Sequence, residues 1–403
     1  MLIQRNGDLA RLVRYKDKDI IKIITGIRRC GKSVLLNSLY YAYLLNSGVA
    51  EDHILRLAFD VHKYAALRSA DALYAYLCEQ IRDDDRYYIF LDEIQLVSGF
   101  EEVVNSIKQE FCVDIYLTGS NSRFLSGEIN TIFRGRGIEI PIFPFSFEEF
   151  FSYRGGEVRQ AFQEYLTYGG LPYVVAAEDN KEKHEYLQMI WQTVATADIV
   201  ERHKIRNKAL FGALVECLMS GIGSYVSALK LANTLKSNGF KTVDNETITN
   251  YLQYLCEAFL FYKARRYDVR GKEYLKTQNK YYVCDVGIRN SALQFRQTEI
   301  THLMENVVYM ELLRQGLVVD VGKNLAKEID FVAKDLQGKT YYIQVAYSIE
   351  DGTTKERELQ AFQGLADGYQ KILITADETP FHEVGSGYRL LNVYDFLLHR
   401  QLL

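Results

Sequence analysis

Proline and tryptophan are scarce in this chain, with 4 and 1 residues among 403. So little proline, without any low-complexity tract, excludes a disordered or collagen-like protein. Long apolar runs are also missing. None approaches the roughly 18 residues of a membrane span, and the opening stretch up to Asp19 lacks the apolar centre of a secretory signal. The expectation is a cytoplasmic protein with no membrane contact. The 6 cysteines (Cys30, Cys78, Cys112, Cys217, Cys256, Cys284) form no C-x-x-C pair. That excludes zinc-finger spacing and suits a reducing compartment. Histidines such as His62, His184 and His203 show no metal-ligand spacing either. Basic charge is not in excess: 48 Lys+Arg stand against 52 Asp+Glu, a net charge of -4. A bulk polyanion binder is therefore excluded, and any nucleic-acid contact must use a local patch.

What remains is a globular composition, 48% hydrophobic, long enough for about two to four domains. The first third alternates strands and helices. The β-branched run Asp19–Thr25 ends in a glycine loop, and Val34–Leu45 follows with helical spacing. His53–Asp60, Tyr87–Leu91, Val113–Leu117 and Gly137–Ile142 read as further short apolar strands. Strands separated by helical stretches predict βαβ units and a parallel sheet covered on both faces. Ser146 followed by Glu149 reads as a capping box that opens a helix. Helices then continue to about residue 257, interrupted at Tyr168-Gly-Gly-Leu-Pro172. Two strands, Leu260–Tyr267 and Lys280–Cys284, flank an Arg270–Lys272 turn, so helices closed by a ribbon suggest a winged helix. The tail returns to α/β, with a helix around Glu305–Gln315 and strands at Val318–Val321, Glu328–Ala333 and Thr340–Ala346.

The chemistry concentrates at the strand ends of the first third. Gly26-Ile27-Arg28-Arg29-Cys30-Gly31-Lys32-Ser33, leading into Val34, satisfies the G-x-x-x-x-G-K-[ST] pattern between a strand and a helix. Glycines let such a backbone wrap phosphate oxygens, and the amides at the helix start face the anion. Lys32 would reach the β- and γ-phosphates, and Ser33 would ligate Mg2+. Asp92 and Glu93 close the strand Tyr87–Leu91. There Asp92 can hold the magnesium shell, and Glu93 can orient and deprotonate the attacking water. Thr118, Ser120 and Asn121 follow a third strand, where side chains can reach the γ-phosphate or that water. Arg134 and Arg136 precede Gly137–Ile142 at an edge far from their own phosphates, where they could meet a neighbour's.

Together, GIRRCGKS, FLDEIQ, LTGSNSRFL, RGR before PIFPFSFEEF, and YLTYGGLPYVV resemble the prokaryotic AAA+ ATPases that carry a C-terminal DUF4143 domain. The likeness spans essentially the whole chain. It implies an α/β fold class: a P-loop AAA+ core over 1–145 with a parallel sheet, a helical lid over 146–205, a winged-helix-like module over 206–292, and a C-terminal domain over 293–403. ATP and Mg2+ are the implied cofactors. Walker A falls at Gly26–Ser33 and Walker B at Asp92, with Glu93 catalytic. The sensor-1-type group is Ser120 or Asn121, and the arginine finger is Arg136, with Arg134 second. A trans finger also implies a homo-oligomer. The sequence departs from the pattern at Gly169–Tyr173, where no sensor-2 arginine stands beside the double glycine.

The order Glu305, then Glu328-Ile-Asp330, then Tyr342-Ile-Gln344-Val-Ala346 looks like a PD-(D/E)xK nuclease core. An active core needs carboxylates for the metal and a lysine for the nucleophile. Gln344 and Ala346 occupy the E-x-K positions, so the nuclease-like domain is expected to be inactive. Lys263, Arg265, Arg266, Arg270 and Lys272 on the ribbon, interleaved with tyrosines, make DNA a candidate partner. The expected function is ATP hydrolysis that rearranges C-terminal DNA- or protein-binding modules. The alternatives are a nucleotide-gated protein-interaction switch without nucleic acid, an ATP-dependent nuclease and, more weakly, a P-loop kinase.

Overall fold

The isoleucine-rich segment Ile21–Thr25 is buried along its whole length as strand β1. The computed structural model describes residues 3–119, 133, 135–275, 278–296, 299–378, 383–384 and 387–400. Strands β2 (Ile54–Ala58), β3 (Tyr87–Asp92), β4 (Val113–Thr118) and β5 (Gly137–Pro141) complete a five-stranded sheet in the order β2-β3-β4-β1-β5. Every pairing in it is parallel. Helices cover such a sheet on both faces, so its strands read as continuous apolar runs. Ile21, Ile23, Leu57, Ile89, Leu91 and Leu117 form its core with Leu73, Leu77, Val103 and Ile107 from two covering helices. Truncating one of these side chains to alanine would cost about 2–5 kcal/mol. Lys22 is buried in the same sheet because Asp114 on the neighbouring strand pairs with it.

The chain divides into two compact units, Met1–Pro144 and, apart from Glu257–Phe259, Phe145–Leu403. The second unit opens with the expected capping box: the Ser146 hydroxyl accepts from the Glu149 amide, and the Glu149 carboxylate accepts from the Ser146 amide. Three helices, Lys208–Ser220, Ala228–Ser237 and Asn245–Glu257, precede an antiparallel ribbon of β6 (Phe261–Ala264) and β9 (Lys280–Val283).

Between β6 and β9 the structure departs from the expected strand Leu260–Tyr267. The chain breaks at Arg265, and β7 (Arg266–Asp268) and β8 (Glu273–Tyr274) form their own hairpin across the Arg270–Lys272 turn. This hairpin joins the tail, because β7 pairs in parallel with β10 (Val318–Asn324). Strands β11 (Lys327–Lys334), β12 (Thr340–Ala346), β13 (Gln370–Thr375), β14 (Glu383–Val384) and β15 (Tyr388–Asn392) complete a mixed sheet in the order β14-β15-β13-β12-β11-β10-β7-β8. The helix Ile300–Arg314 is buried without interruption from Leu303 to Leu312. Such a helix has no solvent face, so every polar side chain within that stretch needs an internal partner.

Candidate nucleotide site

The site is assembled where β1, β3 and β4 end side by side. The β1 strand runs into Gly26, whose φ is 143°. A Cβ there would lie 2.1 Å from the Ile142 carbonyl oxygen, so the position demands glycine twice over. Arg29 and Gly31 also take positive φ, 67° and 102°, which curls the loop into the helix that starts at Lys32. That helix is α-helical over Lys32–Val34, π-helical over Leu35–Tyr40 and α-helical again over Tyr41–Asn46. The expected helix Val34–Leu45 is thus found, with an inserted wide turn of a kind frequent at functional sites. Lys32 is buried and turns its ammonium back onto the loop, donating to the carbonyls of Gly26 at 2.8 Å and Ile27 at 3.0 Å.

Asp92, the last residue of β3, gathers the polar groups around it. The Ser33 hydroxyl donates to its Oδ1 at 3.1 Å and the Asn37 amide to its Oδ2 at 3.2 Å, and the Thr118 hydroxyl also donates to Oδ1. Register explains the meeting. Leu91 pairs with Leu117 and Ile24 with Thr118, so the carboxyl ends of three adjacent strands are level. Next to it, Glu93 takes a left-handed conformation, φ 53°, and its amide donates to Thr118 Oγ1 at 3.0 Å. A left-handed non-glycine residue costs on the order of 1 kcal/mol, a strain typical of functional positions. The Gln95 amide donates to the Glu93 carboxylate.

The residues singled out in the sequence are therefore partly brought together. Ser33, Asp92, Glu93 and Thr118 are joined by hydrogen bonds, and Lys32, next to Ser33 in the chain, bonds to the loop carbonyls instead. Ser120, Asn121 and Arg134 lie outside the described residues. Arg136 is exposed, and its carbonyl accepts from the Ile21 amide at 2.7 Å, at the amino end of β1 and away from the nucleotide loop. Two participants were missed. Asn37 stands four residues after Ser33, a helical spacing that places both on one face and was legible in the sequence. Arg5 was not. Its guanidinium is buried, donates to the Cys30 carbonyl at 2.7 Å and the Phe143 carbonyl at 2.6 Å, and pairs with Asp8. It props the loop from 25 residues away in sequence. Glu139 on β5 receives the Thr25 hydroxyl at 2.6 Å. Burial pushes its carboxyl up despite that bond and the nearby Arg11.

Residues 18–151 match the AAA domain family. An uncharacterized protein of Haemophilus influenzae is 38% identical over 98% of this chain and 99% of its own length. The chain belongs to this AAA-domain family. A second relative, an uncharacterized protein of Methanocaldococcus jannaschii, is 28% identical over 90% of this chain and 84% of its own. Among solved structures, the Walker-type ATPase of Pyrococcus abyssi has 13% identity and a TM-score of 0.49, covering 72% of this chain and 96% of that one. Residues 159–299 of this AAA-domain protein match a domain of unknown function, DUF8612, a span that overlaps the expected lid and winged-helix-like module. The DUF4143 domain that the resemblance implied for 293–403 is not shown by these matches.

The basic ribbon is altered by the fold. Arg265 stacks on Tyr274, with 3.9 Å from its guanidinium carbon to the ring centroid, and faces Asp320 at 3.5 Å. Arg266 donates to Gln278 at 2.7 Å, and Arg270 donates to Asn324 at 2.8 Å. Lys263 and Lys272 are exposed. The expected row of DNA-facing cations is thus largely engaged within the chain. Among the described residues, no helix is long and apolar enough to cross a membrane. His53, Asp83 and Asp85 cluster at the surface although their sequence spacing showed no metal pattern.

Proposed function

We propose that this protein binds ATP at Gly26–Ser33 and hydrolyses it with Mg2+. The observation that carries the reading is the grip of Asp92 on the Ser33 hydroxyl at 3.1 Å, directly after the glycine loop. A hydroxyl and a carboxylate so placed fit a magnesium ion, with Ser33 as ligand and Asp92, steadied by Asn37 and Thr118, in the surrounding shell. The ion's chemistry would be to offset phosphate charge. Lys32 would exchange the Gly26 and Ile27 carbonyls for phosphate oxygens, and Glu93 would orient and deprotonate the attacking water. Arg136 would act on a neighbouring subunit's nucleotide, since its own loop lies at the other end of β1. Ser120 or Asn121 would supply the sensor-1-type contact, and Arg134 would be the second choice for the finger.

Hydrolysis would drive rearrangement of the second unit, whose three helices and β6–β9 ribbon we read as winged-helix-like. The engaged Arg265, Arg266 and Arg270 favour a second reading, a nucleotide-gated switch for a protein partner. The test of hydrolysis is phosphate release from ATP and Mg2+ by the full chain. Free phosphate without a phosphorylated acceptor supports the reading. Transfer to an acceptor would make the protein a kinase.

A further inference from the structure

The buried helix Ile300–Arg314 carries two adjacent polar residues that the nucleotide site does not use, Glu305 and Asn306. Both face β9. Asn306 brackets Val283, accepting from its amide at 2.8 Å and donating to its carbonyl at 2.8 Å, as a neighbouring strand would. Glu305 Oε1 accepts from the Tyr282 hydroxyl at 2.7 Å and from the Lys280 ammonium at 3.0 Å. Lys280 also pairs with Glu328 at 2.5 Å. It is only 2% exposed.

This lysine sits among the carboxylates of the nuclease-like pattern. The surrounding topology has the corresponding order. A helix is followed by antiparallel β10, β11 and β12, then by the helix Gly352–Gln360 and by β13 parallel to β12. The divalent ion such a core would hold does not fit here. Gln344 stands where the second strand should offer a carboxylate, and both ends of its neutral amide are engaged. Its oxygen accepts from the Asp330 amide at 2.7 Å, and its nitrogen donates to Glu358 at 2.7 Å. Asp330 accepts from the Val345 amide at 2.8 Å. An incoming ion would have to displace the ammonium and leave it buried beside a second cation.

We propose that the Lys280 ammonium is the resident cation of the Glu305–Glu328–Asp330 cluster, excluding a divalent ion and fastening the β6–β9 ribbon to the tail helix. The charges agree with this role. Burial would lower the lysine, yet Glu305, Asp330 and Glu328 outweigh it and hold the ammonium above the usual lysine range. Burial and then the Glu305 charge push Asp330 well above the carboxylate range.

The test titrates the full chain with Mn2+, without nucleotide, and counts free Mn2+ by its EPR signal. Wild type, Asp330→Asn and Glu305→Gln are expected to bind identically. Lys280→Met should gain a Mn2+ site that wild type lacks, held at least about tenfold more tightly than the same cluster holds the ion with its ammonium in place, because removing a unit charge a few ångströms away favours a divalent cation by more than that. Adding Asp330→Asn to Lys280→Met should abolish the gain. A wild-type Mn2+ site that Asp330→Asn removes would overturn the proposal, as would a folded Lys280→Met protein that gains none. Should Lys280→Met not fold, the comparison of wild type with Asp330→Asn and Glu305→Gln still decides.

Discussion

At the scale of residues, two buried ionisable groups make opposite demands. Lys32 donates to the neutral carbonyls of Gly26 and Ile27 in its own loop, partners that the oppositely charged oxygens of a phosphate can replace. Lys32→Ala should therefore lose most affinity for ATP, measured by titration with a labelled nucleotide, while the melting temperature without nucleotide changes little. Asp285 caps the helix Val286–Ala292 and accepts from the amides of Gly287 at 2.9 Å, Ile288 at 3.2 Å and Gly170 at 2.7 Å. Burial disfavours its charge more than these three bonds favour it, so its carboxyl is pushed up to about 6. A folded-state value above the unfolded one means that its contribution to stability is complete below pH about 4 and is lost as pH rises through about 6. Between pH 4 and 7 the loss should be roughly 2–3 kcal/mol. Asp285→Asn removes the titration, so denaturant midpoints across that range should fall less steeply with rising pH than in wild type. Parallel profiles would refute this assignment.

The same aspartate explains an element that the sequence left obscure. The double glycine at Gly169-Gly170 reads as a helix breaker without a sensor arginine, and nothing local says why both must be glycine. In the fold, a Cβ on Gly169 would lie 2.1 Å from Asp285 Oδ1, and one on Gly170 would lie 2.2 Å from the Phe145 carbonyl oxygen. The reasons are close approaches by residues far along the chain, Asp285 against Gly169 and Phe145 against Gly170, which local pattern cannot carry. By contrast, β1 to β5 were legible within a residue or two, because a buried parallel strand is a short apolar run wherever it lies. Asp92 and Glu93 were legible for the same cause, as the strand ends fix the ligand crevice. The strand Leu260–Tyr267 was misread as one piece because its apolar and basic alternation hides the break at Arg265, which pairing with β10 imposes. At the element scale, the exposed edge before β5 predicts a contribution in trans. Arg136→Ala and Glu93→Gln should each be inactive, and mixing them should restore part of the phosphate release. An arginine finger contributes on the order of 10³-fold. Mixed oligomers that form without regaining activity would rule out that role.

For the whole molecule, the question is what nucleotide turnover acts upon. Each phosphate contact lowers log K by about 0.9 per decade of salt. With Arg265, Arg266 and Arg270 engaged internally, Lys263 and Lys272 alone would give DNA binding a salt slope no steeper than about -2. A much steeper slope would show that the arginines leave their partners and would restore the full basic ribbon. The tail should leave DNA and RNA uncut with Mg2+ or Mn2+, with or without ATP. Cleavage that disappears in Asp330→Ala while ATP turnover persists would promote the nuclease reading.

All of this depends on Glu93 serving hydrolysis rather than binding. The most direct measurement compares wild type with Glu93→Gln at saturating ATP and Mg2+, reading phosphate release and nucleotide affinity on the same preparations. Affinity should stay nearly unchanged while release falls by at least about 10²-fold, the scale of a lost general base. Release that survives the substitution, or affinity that falls together with it, would contradict the account.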